Sequence, residues 1–281
     1  MDQKMICSWA DIDLDFFVIN VKKSERRRMR MEQQLSERGM RHRFIEAVDG
    51  DDTSAVRAAF LCDTSLGSTI FTHRTNPVTS RELACTLSHL RAVRLAHEEG
   101  RDRVIILEDD LEIGDVEASE IAAILSAAPS DAAYIQLCVL PAATVRGLTE
   151  LYFDTQQLFA RKKDNEPTRF ANESVKDLYC HSTAAYLVTA GGMKNICENF
   201  FAGSVARFPC DEVQVSHNVG LAADRFVYQT AVGNGYHRYA YCIPTFILEG
   251  VDSMLHPHHV SGHFDARNVA QECRNHIFGK R

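Results

Sequence analysis

The chain has 281 residues, 45% of them hydrophobic and 25% charged, and a formal net charge of −7. That balance is ordinary for a soluble globular protein, and the negative charge argues against general nucleic-acid binding, which depends on neutralising phosphates. No apolar run approaches the roughly 20 residues that span a bilayer, and the start lacks a basic segment followed by an apolar one. The nine scattered cysteines contain no C-x-x-C pair, so reduced thiols in a cytoplasmic compartment are expected.

Asp15-Phe-Phe-Val-Ile-Asn-Val21 predicts a buried first strand. Ser24 can N-cap a helix running to about Arg38, with Gly39 as its stop. Arg26, Arg27 and Arg28 open that helix, where cations oppose the dipole; either they sit in solvent or at least one reaches an anion such as a diphosphate. A second strand over 42–48 ends in Asp49-Gly50, a turn that exposes a carboxylate, and the strand–helix–strand order is a βαβ start. Residues 51–77 read as a loop with a short helix over 56–61. Thr79-Ser-Arg-Glu82 has capping-box spacing and begins a helix to Glu99, closed by Gly100. Its Ser88-His89 pair reads as packing or a local hydrogen bond.

Arg103-Val-Ile-Ile-Leu-Glu-Asp-Asp110 organises the chain. Four consecutive apolar residues predict a strand buried on both faces of a largely parallel sheet. The run ends in Glu108, Asp109 and Asp110, three carboxylates whose repulsion and desolvation call for a cation. Ligands of open α/β sheets bind beyond the carboxyl ends of the strands, and a hard divalent ion with oxygen ligands, Mg²⁺ or Mn²⁺, suits such a site. The competing reading is three solvated acids in a turn that caps the next helix.

Further on, 116–128 predicts an amphipathic helix stopped by Pro129, and 132–138 a strand. From 141 to 177 the pattern is lost, and 161–167 reads as a mobile, charged loop tip. Residues 183–189 predict a strand, and Gly191-Gly192 opens a helix; no G-x-G-x-x-G and no P-loop occurs anywhere. Phe208-Pro-Cys-Asp-Glu212 presents two acids before a possible helix. A late strand over 239–248 is interrupted by Pro244, hence an edge or a bend. His256, His258, His259 and His263 cluster near the C-terminus. The expected organisation is an extension over 1–14, one domain over 15–255 and a tail over 256–281.

The order of these features carries a resemblance. Val18-Ile-Asn-Val21 with the following Lys22-Lys-Ser-Glu-Arg-Arg-Arg28, then Phe44-Ile-Glu-Ala-Val-Asp-Gly50, Glu82-Leu-Ala-Cys-Thr-Leu-Ser-His89 and Ile106-Leu-Glu-Asp-Asp110 form a series. With Ala184-Ala-Tyr-Leu-Val-Thr189 and Pro209-Cys-Asp211, it resembles glycosyltransferase family 25, which includes bacterial lipooligosaccharide glycosyltransferases and collagen-type galactosyltransferases. The likeness is continuous from about Phe16 to Asp211 and thinner to about Ser253.

The resemblance implies an α/β, GT-A-like (Rossmann-like) domain, with a mixed, mostly parallel sheet flanked by helices. It implies a UDP-sugar donor, Mn²⁺ or Mg²⁺, and inversion at the anomeric carbon. The triplet stands for the family's Asp-any-Asp metal motif, with Glu first, as suits the family's usual form. Asp110 would contact the metal and Glu108 the ribose or a metal-bound water, with Asp109 beside them. Asn20 and Arg27 match positions near the nucleotide, Arg27 for a diphosphate or base contact, and Ala47, Val48 and Asp49 would line the nucleotide pocket. Inversion needs a general base. Asp211 matches the family's Pro-x-Asp, with Glu212, Glu249 and Asp252 as alternatives. Some GT-A enzymes complete the metal shell with a late histidine, here His256 or His258.

Three functions compete. The first is a metal-dependent inverting hexosyltransferase, galactose before glucose, acting on a glycan or lipid-linked acceptor in surface-glycan biosynthesis. Such an enzyme would be cytoplasmic, with at most peripheral membrane contact. The second is a non-catalytic nucleotide-sugar or carbohydrate-binding module derived from such an enzyme. The third is a metal phosphohydrolase using the triplet, which the other motifs do not support.

Overall fold

The computed structural model describes residues 7–66, 78–164, 166, 168–211, 215, 219–249 and 260–279. Its strands and helices are β1 (Phe16–Asn20), α1 (Glu25–Glu37), β2 (His42–Glu46), α2 (Thr53–Ala58), β3 (Phe60–Cys62), α3 (Ser80–Glu98), β4 (Arg103–Glu108), β5 (Leu111–Glu112), α4 (Ala118–Ala127), β6 (Ala132–Gln136), α5 (Ala142–Thr155), β7 (Phe159–Arg161), β8 (Ala185–Thr189), α6 (Ala190–Phe200), β9 (Phe201–Ala202), β10 (Val205–Phe208), α7 (Ala223–Thr230), β11 (His237–Tyr241), β12 (Ile247–Leu248) and α8 (Val260–Phe278).

The main sheet has seven strands in the order β2-β1-β4-β8-β6-β11-β7. β2, β1, β4, β6 and β11 run one way, and β8 and β7 run against them. This is a mixed, mainly parallel α/β sheet with flanking helices, as the resemblance implies, and the β4 apolar run lies at its buried centre. Period-two alternation splits the core. Phe17, Ile19, Val104 and Ile106 enter one hydrophobic cluster with α3 and α6, while Phe16, Val18, Ile105 and Leu107 enter another with α1 and α4.

Local signals place several elements well. Gly39 takes the left-handed conformation that ends α1 (φ +71°). Thr79 and Glu82 form the reciprocal capping box of α3. The Thr189 side chain caps α6 at Gly192 N–H, where a Cβ would collide with the carbonyl of Ala133 in β6. Only glycine lets this helix lie so close to the sheet.

Other elements differ from expectation. Where the pattern is lost after Pro141, the chain forms α5; Val145, Leu148 and Leu151 are buried at near-helical spacing that Gly147 and three threonines dilute. The short helix expected over 56–61 lies earlier, at Thr53–Ala58, because Asp52 caps it, and Phe60–Cys62 is a strand. The charged segment at 161–167 is not simply a loop tip. Arg161 belongs to β7, and Lys162 is fully buried, donating to Gln136 Oε1 at 2.5 Å with its ammonium over the Tyr228 ring. Pro244 marks a bend: β11 lies inside the main sheet with β7 at the edge, whereas β12 pairs with β5 in a separate ribbon. Residues 260–278 form α8, which packs on α5 and β12 and is pinned by Arg274 to Glu120 at 2.9 and 3.0 Å.

Candidate active site

β1, β2 and β4 are parallel neighbours, so their carboxyl ends share one end of the sheet. There a cleft of about 450 Å³ opens, at the position where open α/β sheets bind ligands. α3 supplies one wall through Arg81, Cys85, Ser88 and His89, residues at i, i+4, i+7 and i+8 that share a helix face. Thr183 arrives because β8 runs antiparallel to β4, and Asp224 lies in the first turn of α7.

The three acids divide their tasks. Asp109 faces the scaffold: Asn20 Nδ2 donates to its Oδ2 at 2.6 Å, Arg27 Nη1 to its Oδ1 at 3.1 Å, and Arg30 Nη2 to its carbonyl at 3.0 Å. Burial nevertheless raises its pKa. Glu108 accepts at Oε1 from Thr183 Oγ1 at 2.9 Å and lies 3.2 Å from His89 Nε2. Burial opposes its ionisation, but the hydrogen bonds from His89 and Thr183 outweigh it and hold the carboxyl below the usual range. Asp110 is different. Burial and the neighbouring charge of Glu108 push its pKa up to about 7, only partly countered by Arg27, 3.9 Å away. Its Oδ1 is buried with no hydrogen-bond partner.

A buried carboxylate oxygen without a donor, beside a second carboxylate, is short of positive charge. Oxygen donors of this kind fit a hard divalent cation, which Asp110 and Glu108 would hold. At the cleft's other end, Ile19, Val21, Ala47, Val48 and Ala84 provide apolar surface. Ser88 Oγ accepts from Val48 N–H at 2.9 Å and donates to the Ala84 carbonyl at 2.6 Å, fixing that wall. On the rim, Lys23 bridges Asp49 at 2.7 Å and Asp51 at 2.6 Å, and Arg81 holds Asp51 at 2.7 Å. The hydrogen bonds from Arg81 and Lys23 lower the Asp51 pKa to about 2.

The structure therefore brings Arg27, Ala47, Val48, Asp49, Glu108, Asp109 and Asp110 together around one cleft. Asn20 does not line it; it is buried behind Asp109. Asp211 follows β10, is exposed, and is not among the lining residues. His256, His258, Glu212 and Asp252 lie outside the described residues. Sequence reasoning missed Cys85, Thr183 and Asp224, and took His89 for packing or a local bond. Its bonds to Glu108 and to Tyr186 (3.1 Å) are hydrogen bonds, but distant in sequence. The available signal was helical spacing, since 85 and 89 lie one turn apart on the face that meets the end of β4.

The molecule is a mixed, mainly parallel α/β protein with an acid-lined cleft at the carboxyl ends of its parallel strands. Residues 13–213 match the sequence model of glycosyltransferase family 25 (LPS biosynthesis protein), and the chain belongs to that family. Among solved structures it is similar to mouse xyloside xylosyltransferase 1 in its apo form, at 12% identity with a TM-score of 0.31. That likeness covers 64% of this chain and 56% of the other, so the chain spans little more than half of that structure's length.

Proposed function

We propose that this glycosyltransferase moves a hexose, galactose before glucose, from a UDP-sugar to a hydroxyl of a surface-glycan acceptor. The transfer is metal-dependent and inverts the anomeric carbon. The observation that carries this reading is the Glu108–Asp110 pair, set at the end of a buried strand and facing a ligand-sized cleft with Asp110 Oδ1 unpartnered. Mn²⁺ or Mg²⁺ held by Asp110 and Glu108 would supply charge neutralisation for the departing diphosphate. His256 stands in this reading as a further ligand.

The chain's own groups have separate tasks. The apolar wall at Ala47 and Val48 takes the base, and Asp49 at the rim is within the same pocket. Arg27, oriented by Asp109, offers its guanidinium to the diphosphate. The acceptor hydroxyl must lose its proton to a carboxylate within hydrogen-bond reach. Asp224 lines the cleft and Asp211 does not, so Asp224 is the first base to test and Asp211 the second. No described helix is long and apolar enough to cross a membrane. In this reading the enzyme works in the cytoplasm and meets a lipid-linked acceptor only peripherally.

The test is release of UDP from a panel of UDP-sugars, with and without Mn²⁺, for wild type and Asp110→Ala. Metal-dependent release from one donor, abolished by the substitution, supports the reading. Neither turnover nor UDP binding would sink it. With an acceptor in hand, the base is whichever of Asp224→Asn and Asp211→Asn lowers kcat by roughly 10²–10⁴-fold.

A further inference from the structure

One cluster in the cleft has the wrong chemistry for a hard ion. Cys85 and His89 stand one turn apart on α3, and Glu108 ends β4. The Cys85 Sγ, a His89 ring nitrogen and a Glu108 carboxylate oxygen all lie within 4.8 Å of one another. The Cys85 thiol lines the cleft, and no described residue hydrogen-bonds to it. From these residues we propose a second, soft-metal site: Cys85, His89 and Glu108 bind a zinc-class transition-metal ion, with the fourth position open to the cleft.

Thiolate, imidazole and carboxylate are the donors that borderline-soft ions take, and Mg²⁺ does not take thiolate. Ligand bonds of about 2.0–2.3 Å place tetrahedral ligand atoms roughly 3.3–3.8 Å apart. The His89 Nε2–Glu108 Oε1 edge is already 3.2 Å, so closing the set needs movement mainly at Cys85. His89 is fully buried and its orientation is fixed from behind. With Nε2 given to the ion, Nδ1 carries the ring proton and donates to Tyr186 Oη, 3.1 Å away, the outer support typical of metal-bound histidine. On binding, the Cys85 thiol releases one proton to solvent and its sulfur lone pair forms the metal bond. The ion enters from the cleft that Cys85 faces.

Glu108 belongs both to this set and to the pair assigned to the hard ion. A zinc-class ion therefore withdraws Glu108 from donor chemistry, and zinc inhibits the enzyme. The ligand set does not depend on the transferase reading; only the inhibition rests on it.

The experiment is a titration of the full chain with Co²⁺ under a non-thiol reductant, reading the near-ultraviolet thiolate-to-cobalt charge-transfer band. A stoichiometric band is expected in wild type and in the control Cys62→Ser, lost in Cys85→Ser, and displaced by Zn²⁺ but not by Mg²⁺. Absence of the band in wild type overturns the site, as does its survival in Cys85→Ser with the fold intact by circular dichroism. In the activity arm, Zn²⁺ should lower Mg²⁺-supported UDP release by about tenfold or more in wild type and far less in Cys85→Ser. Equal inhibition of both overturns the shared role of Glu108. Wild-type chain that neither turns over nor binds a UDP donor fails the transferase reading, and the cobalt result is read independently of it.

Discussion

Asn20 Nδ2 donates to Asp109 Oδ2 at 2.6 Å, a buried bond between residues 89 apart that ties the end of β1 to the end of β4. It lets Asp109 hold Arg27 while Glu108 and Asp110 face the cleft. Asn20→Ala removes a donor from a buried carboxylate, at a cost of roughly 1–3 kcal/mol. Asn20→Asp sets two carboxylates together and costs more. Urea unfolding of both variants should rank them in that order below wild type; an Asn20→Asp chain as stable as wild type would contradict the assignment.

Asp110 predicts a pH dependence. Its carboxyl, ordinarily near 3.8, titrates at about 7 in the folded chain, so between those values the folded state holds a proton that the unfolded state has lost. Stability from this group is complete below the lower value and is lost as pH rises towards the upper one, by ~1.4 kcal/mol per unit at most. With chelator present, wild type should be less stable at about pH 7.5 than at about pH 5 by a few kcal/mol. Asp110→Asn should show a much shallower loss, and parallel curves would refute the account.

Gly192 is required by close approach and not by a special φ, because a side chain there meets the Ala133 carbonyl of β6. Gly192→Ala should destabilise by roughly 1–3 kcal/mol, since neither the helix nor the strand can yield without repacking. Gly203, at a positive φ with open space around it, serves as the comparison: its cost comes from backbone strain alone. Thermal unfolding of the two alanine variants separates the mechanisms, because only the first should perturb the near-ultraviolet signal of the core tyrosines.

Arg274 is almost wholly buried, with a fork to Glu120 and bonds to Asp115 and the Pro244 carbonyl. Arg274→Met leaves Glu120 buried and uncompensated, a loss of roughly 3–5 kcal/mol. The double variant Arg274→Met/Glu120→Gln should recover part of that loss. Chemical denaturation of the three chains reads the coupling, and additive losses would show that the pair does not interact.

Much of this is legible in the sequence, for physical reasons that differ by element. The β4 run could be read because four apolar residues in succession fit a strand covered on both faces, and the α3 start because Thr79 and Glu82 satisfy each other. The acids at 108–110 were legible as a charge problem, though not as a division between cleft-facing and scaffold-facing members. That division follows from Asn20 and Arg27, which reach Asp109 only through the sheet's pairing. α5 escaped because Gly147 and the threonines blur its apolar stripe. Lys162 escaped because a lysine between charged neighbours reads as solvent-exposed, and its burial depends on Gln136 and Tyr228 from other elements. Thr183 and Asp224 carry no local mark at all.

α3 touches the cleft at both ends of its task. Ser88 fixes the backbone of Val48, the wall proposed above for the nucleotide base, and the adjacent His89 meets the Glu108 carboxylate. One stiff helix thus spans the two subsites, and a displacement large enough to break either bond disturbs the other. On the proposed function, occupancy at one end should be felt thermodynamically at the other, base and cation each raising the other's affinity by the same factor. A nucleoside lacking phosphates, unable to touch the ion directly, would still sharpen the chain's response to it.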